Sequence, residues 1–194
     1  GIDKNGYALK CNTFKIKYPP QEQSTQPGME YLMHPRPVYD NCDYKASGKL
    51  KGKVAIITGA DSGIGRAVAV AYVKEGASVV IAYLNEHRDA METKEVLDSL
   101  GGKSLFLAGD IKDKNFCDYI IDETIEKFGK IDILINNAAV QYQQKSLLDI
   151  SDEQFDETMK TNVYGMFYLT KSALKCMKPG SNIINLSSVT TFYG

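Results

Sequence analysis

Between Lys53 and Leu186, short apolar runs alternate with longer segments whose apolar residues recur every three or four positions. The short runs are Val54–Thr58, Ser78–Tyr83, Ser104–Ala108, Ile131–Ile135 and Asn182–Leu186. They lack a polar face, which predicts strands buried on both sides in a parallel sheet. The longer segments Ile64–Glu75, His87–Leu100, Asn115–Phe128 and Ser151–Met177 predict helices, stopped at Gly76, Gly101-Gly102, Gly129 and Pro179-Gly180. The last opens on a capping-box pattern, Ser151-x-x-Gln154. In it Phe155, Met159, Val163, Met166, Leu169, Ala173 and Met177 make one apolar stripe, beside which Asn162 is expected to be at least partly buried. This alternation predicts an α/β, doubly wound parallel sheet of order 3-2-1-4-5. Its ligand crevice should lie at the carboxyl ends of strands 1 and 4.

Residues 1–47 do not share this pattern. They hold Pro19, Pro20, Pro27, Pro35 and Pro37, five of the six prolines, so an extended arm is expected. Tyr7, Phe14, Ile16, Tyr18, Tyr31, Leu32, Met33 and Tyr39 make it too apolar for a solvated tail. We expect this arm to dock on its own domain or on a neighbouring subunit. Residues 48–194 are then expected to form one doubly wound, Rossmann-type domain, incomplete at its carboxyl end.

The chemistry concentrates between the first strand and the first helix, at Thr58-Gly59-Ala60-Asp61-Ser62-Gly63-Ile64-Gly65. Glycines there let the backbone take angles closed to other residues and approach a ligand closely. The helix start offers free N–H groups and the positive end of a dipole. In a strand-turn-helix context this combination points to a pyrophosphate. A triphosphate loop would require Gly-Lys-Ser/Thr, whereas Arg66-Ala67 follows Gly65, so kinase-like or GTPase chemistry is excluded.

Composition narrows the class further. The 194 residues are 43% hydrophobic, enough for a core, and the formal net charge of -1 implies no nucleic-acid surface. No apolar run approaches the ~20 residues of a membrane helix, and no signal peptide is visible. Cys11, Cys42, Cys117 and Cys176 show no C-x-x-C spacing, and only His34 and His87 accompany them. No metal site or disulfide framework is therefore expected, and free thiols fit a cytoplasmic location.

The glycine turn resembles the cofactor motif of the short-chain dehydrogenases/reductases, and four further segments fit that family in order. Gly109-Asp110-Ile111 resembles the acidic pair that holds the adenine ring. Asn136-Asn137-Ala138-Ala139 resembles the Asn-Asn-Ala-Gly motif, with Ala139 in place of the glycine. Thr161-Asn162-Val163 is similar to the segment with the catalytic asparagine, and Ile184-Asn185-Leu186-Ser187-Ser188-Val189 to the strand with the catalytic serine. The arm, with Pro27-Gly28-Met29-Glu30 and Met33-x-Pro35, resembles an extended subgroup of glucose/ribitol or general-stress dehydrogenases. The resemblance implies hydride transfer between NAD(P) and the carbonyl or alcohol of a sugar, polyol or similar small substrate. It assigns catalysis to Ser188, which would bond the substrate oxygen, and to Asn162, which would hold a relay water. It assigns cofactor binding to Gly59, Asp61, Ser62, Gly63, Ile64 and Gly65 of the turn, to Tyr83, Leu84 and Asn85 after strand 2, to Asp110 and Ile111, and to Asn137, Ala138 and Ala139. It also implies a homodimer or homotetramer paired through the long helix.

Two points of the family pattern need separate treatment. At the end of strand 2 an acid would bind the ribose 2′-OH and repel a 2′-phosphate. Ala82-Tyr83-Leu84-Asn85 has none, which favours NADP while leaving NAD permitted. The family also places a Tyr-x-x-x-Lys pair about a dozen residues beyond the serine, where the tyrosine is the general acid/base. No such pair occurs in the 194 residues. The expectation is a piece of a longer enzyme of roughly 250–300 residues, inactive as a fragment, with two further strands and the substrate loop beyond Gly194. The alternative is a non-catalytic dinucleotide-binding module, which would apply if the natural chain stopped at Gly194. A methyltransferase on a similar sheet accounts for fewer of the motifs.

Overall fold

The structure is a computed structural model that describes residues 20, 21, 23 and 28–188. Five strands form one parallel sheet in the order β3-β2-β1-β4-β5, as the sequence pattern predicts. They are β1 (Val54–Thr58), β2 (Ser78–Tyr83), β3 (Ser104–Ala108), β4 (Ile133–Asn136) and β5 (Asn182–Asn185). Register explains why the strands read as continuous apolar runs. Leu105, Val80, Ile56, Leu134 and Ile183 align in one row across the sheet, and Phe106, Ile81, Ile57, Ile135 and Ile184 in the next. The first row packs under α3 (Lys114–Phe128) and α5 (Met166–Ala173), through Cys117, Ile120, Ile121, Leu169 and Ala173. The central residues of the second row pack under α1 (Gly63–Lys74) and α2 (His87–Ser99), through Ala69, Val70, Val73 and Leu97. Each fully buried Ile, Leu or Val contributes about 1.5–3 kcal/mol relative to exposure.

The long helix differs from the expectation. It runs as α4 (Asp152–Met159), a π-helical segment (Lys160–Gly165) and α5, and ends at Ala173 rather than Met177. A π turn carries more residues than an α turn, so it shifts the phase of everything beyond it. The single apolar stripe is broken accordingly. Leu169 and Ala173 are buried, whereas Phe155 and Val163 are exposed. The start is capped as predicted, with Ser151 Oγ accepting from Gln154 N at 3.2 Å. The Gln154 side chain does not return that bond, because its Oε1 accepts from Gln144 Nε2 instead.

The described part of the arm lies along α1 and α2. Arg36 Nη2 pairs with Glu92 Oε2 at 2.8 Å, Lys74 Nζ with Asp40, and the Tyr44 hydroxyl donates to Glu75. The arm residues Tyr7, Phe14, Ile16 and Tyr18 lie outside the described residues. Among the described residues, no helix is long and apolar enough to cross a membrane, and no group of His, Cys, Asp and Glu could hold a metal ion.

Candidate functional site

The carboxyl ends of β1 to β4 open into a cleft of about 290 Å³, where the strand order reverses between β1 and β4. Asp61, Ser62, Gly63 and Ile64 form one wall. Gly59 and Gly63 have φ of +63° and +53°. A Cβ on Gly59 would lie 3.0 Å from Ala138 Cα, whereas one on Gly63 would meet nothing within 4 Å. Gly59 therefore seats the turn against the loop after β4, and Gly63 keeps the cleft open. Gly65 lies outside the cleft lining. A Cβ there would stand 2.3 Å from Gly59 O and 2.6 Å from Ala60 Cα, so its role is to let α1 pack on the turn. The first bond of the α1 ladder runs from Arg66 N to Ser62 O at 3.0 Å, which places the N–H groups of Ile64 and Gly65 ahead of the ladder.

At the end of β2 the cleft is lined by Tyr83 and Leu84, but not by Asn85, which is exposed. Glu86, only 7% exposed, stands in the cleft instead. The strand alternation stops at Tyr83, and the chain turns sharply, with Asn85 O accepting from His87 N at 2.8 Å. That turn folds Glu86 back, and its Oε2 accepts from Asn85 N at 3.2 Å. Glu86 Oε1 is buried and has no hydrogen-bond partner. An unpaired buried acceptor is costly, so such an atom marks a place where a donor fits. Burial and the nearby Glu86 carboxylate push the Asp61 carboxyl up to about 6. Burial, then Asp61 and Glu86, also raise the Tyr83 phenol above its ordinary range.

Asp110 and Ile111 line the cleft at the end of β3. Asp110 Oδ1 accepts from Lys112 N at 2.9 Å. Lys112 Nζ lies 3.3 Å from Asp110 Oδ2 and 2.6 Å from Glu157 Oε1, which ties this strand end to α4. Lys112 and Glu157 also line the cleft. Their contact spans 45 residues and carries no local sequence signal.

Asn137, Ala138 and Ala139 line the β4 side, and Asn137 also holds that side together. Thr58 Oγ1 accepts from Asn137 N at 3.0 Å and from Ala138 N at 2.9 Å. Asn137 Nδ2 donates to Thr58 O at 2.8 Å and to Gly59 O at 2.9 Å. Asn162 sits in the π segment, half-buried, beside the cleft residue Thr161. Both ends of its amide are engaged with one residue: Oδ1 accepts from Val140 N, and Nδ2 donates to Val140 O, each at 2.8 Å. Ser188 follows β5 at its carboxyl end, is exposed, and is not part of the cleft lining.

This arrangement is one that many proteins share. The family profile described as short chain dehydrogenase matches residues 53–194. The chain belongs to the short-chain dehydrogenase family. General stress protein 39 of Bacillus subtilis (strain 168) is 52% identical over 176 residues, which are 91% of this chain and 62% of that protein. Glucose and ribitol dehydrogenase of Daucus carota is 40% identical over 184 residues, covering 92% of this chain and 63% of that protein. A short-chain dehydrogenase from Burkholderia cenocepacia J2315, solved in complex with NADP, superposes with a TM-score of 0.69 at 30% identity, over 73% of this chain and 57% of that one. The chain thus spans about three fifths of the length of the relatives it matches.

Proposed function

We propose that this chain is the cofactor-binding part of an NAD(P)-dependent oxidoreductase that moves hydride between a nicotinamide and the carbonyl or alcohol of a small sugar, polyol or similar substrate. The observation that carries this reading is the cleft at the strand-order reversal, floored by a glycine turn whose Gly63 leaves open space. The nicotinamide supplies the hydride chemistry when bound. The turn and the start of α1 offer amides and a positive dipole end to a pyrophosphate. Asp110, Ile111 and the Asn137–Ala139 segment bound the remainder of the dinucleotide's path. Ser188 orients the substrate oxygen. Both side-chain groups of Asn162 are committed to Val140, so a relay water would be held by its backbone carbonyl, in a π segment where the regular ladder is interrupted. Proton transfer requires a Tyr-x-x-x-Lys pair, to be sought in the sequence beyond Gly194.

For the cofactor we favour NAD over NADP. Asp61 and Glu86 place two buried carboxylates beside Tyr83, and Glu86 Oε1 offers a free acceptor to a ribose hydroxyl. The cation in the lining, Lys112, is held between Asp110 and Glu157. This local charge is set against the preference for NADP drawn from Ala82–Asn85, and comparing the two cofactors decides between them. The exposed Phe155, Val163, Phe167 and Leu174 support pairing of two copies through the long helix. The free Cys42, Cys117 and Cys176 suit a reducing cytoplasm. The test is absorbance at 340 nm with the full protein, NAD or NADP, and a panel of sugars, polyols and aldehydes. Turnover with tighter binding of NAD is the expected result. Failure to bind either dinucleotide would sink the reading, and tighter binding of NADP would overturn the cofactor choice.

A further inference from the structure

Glu30 belongs to the arm, yet its carboxylate is buried against the glycine turn and is 3% exposed. Oε2 accepts from the backbone N–H of Gly63 at 2.5 Å, and Oε1 meets Arg66 Nη1 at 2.6 Å. Gly63 is the first residue of α1, and Ser62 in the N-cap position makes no side-chain capping bond. The helix is therefore capped by a carboxylate from another part of the chain. Arg66 extends this grip. Its Nε donates to Thr93 Oγ1 at 2.6 Å and to Asp61 O at 3.2 Å, and its Nη2 to Asp61 O at 2.8 Å and Asp89 O at 3.0 Å. The N–H of Glu30 donates to Asp89 Oδ2 at 3.0 Å. Tyr39, also from the arm, holds its ring 5.3 Å from the Arg66 guanidinium. Arm, turn, α1 and α2 thus converge on one buried cation. None of Glu30, Arg66, Asp89 or Thr93 lines the cleft.

We propose that Glu30 is a positioning residue for the dinucleotide. Resting on the cofactor reading above, the inference adds a role for the arm. A glycine turn loses much backbone freedom when it is ordered. A ligand that had to order it would bind more weakly than one meeting a turn already set. Glu30 sets it in advance. Oε2 fixes the Ser62–Gly63 peptide, Oε1 holds Arg66, and Arg66 holds the Asp61 carbonyl. Both sides of Ser62 are then anchored, and the amides that follow stand ready for a pyrophosphate.

The test uses the full protein with two variants. Glu30→Gln keeps the shape and removes the charge. Glu30→Leu/Arg66→Met replaces the buried pair with apolar side chains, a swap that often leaves stability intact, while removing the acceptor for Gly63 N–H. NAD and ADP, which carry a pyrophosphate, are titrated by calorimetry, adenosine is followed by ligand-observed NMR, and a thermal melt is recorded alongside. The double variant is expected to bind NAD and ADP about tenfold more weakly, with adenosine unchanged and the melt near that of the parent. Glu30→Gln should shift in the same direction by less. Unchanged NAD affinity in a folded variant would reduce Glu30 to an anchor of the arm, and equal weakening of adenosine would mean a general collapse of the cleft. Either result overturns the proposal. A parent protein that binds neither NAD nor NADP would instead overturn the dinucleotide reading itself.

Discussion

The two sides of the glycine turn follow opposite rules. On the arm side each nitrogen of Arg66 is hydrogen bonded, both oxygens of Glu30 have partners, and, apart from Asp89 Oδ1, the polar groups in contact are matched. On the cleft side a Cβ position on Gly63 faces open space, Glu86 Oε1 is buried without a partner, and Asp61 is held above the usual carboxylate range. The same eight residues, Thr58 to Gly65, are therefore rigidly satisfied behind and left unfinished in front. Burying polar groups without partners costs stability. A fold tolerates that cost where a ligand can complete the set, so the imbalance itself locates the binding face.

Substitutions on either side should separate the two rules. The largest effect is expected from Arg66→Met alone. It strands the Glu30 carboxylate in a buried site and should lower unfolding free energy by about 3–5 kcal/mol in urea titrations. Gly65→Ala drives a Cβ into backbone 2.3 Å away and should cost about 2–3 kcal/mol, together with loss of NAD binding by calorimetry. Asp61→Asn should act in the other direction. The native Asp61 carboxyl, at about 6, keeps a proton that the unfolded chain has already released, so its contribution to stability falls as pH rises from about 4 to 6. The Asn variant should match the parent near pH 4 and be more stable by about 3 kcal/mol above pH 7, with relatively tighter NADP binding at that pH. Gly63→Ala is the mildest. It meets no atom, but its φ of +53° strains a side chain, so a loss of about 1 kcal/mol in the same urea titration is expected.

The centre of the sheet was legible because β1, β2 and β4 are buried on both faces. Val54–Ile57 has no position that must be polar, and this apolar run reads directly as a strand. The turn was legible because its glycines meet distinct geometric needs at Gly59, Gly63 and Gly65. Glu30 was not, since its partners lie 33 and 36 residues away and only the folded chain brings them together. Arg66 drew notice as the absence of a lysine, although its own burial is the stronger fact. Asn85 lies outside the cleft and Glu86 within it, because the chain turns at Asn85 instead of continuing the alternation of the strand. The π segment escaped for a similar reason. Over six residues, helical periods of different length place apolar side chains at nearly the same spacings.

That π segment links two surfaces that look independent. Upstream of it Glu157 touches the cleft, and downstream Leu169 and Ala173 wedge against α3 and the sheet. Forcing the six residues 160–165 into ordinary α geometry, with none removed, would rotate one surface relative to the other by about 100° about the common axis. Either Glu157 would leave Lys112 or Leu169 would leave the core. The wider turn works as an angular spacer, taking up the extra residue so that Glu157 and Leu169 each keep their separate contacts.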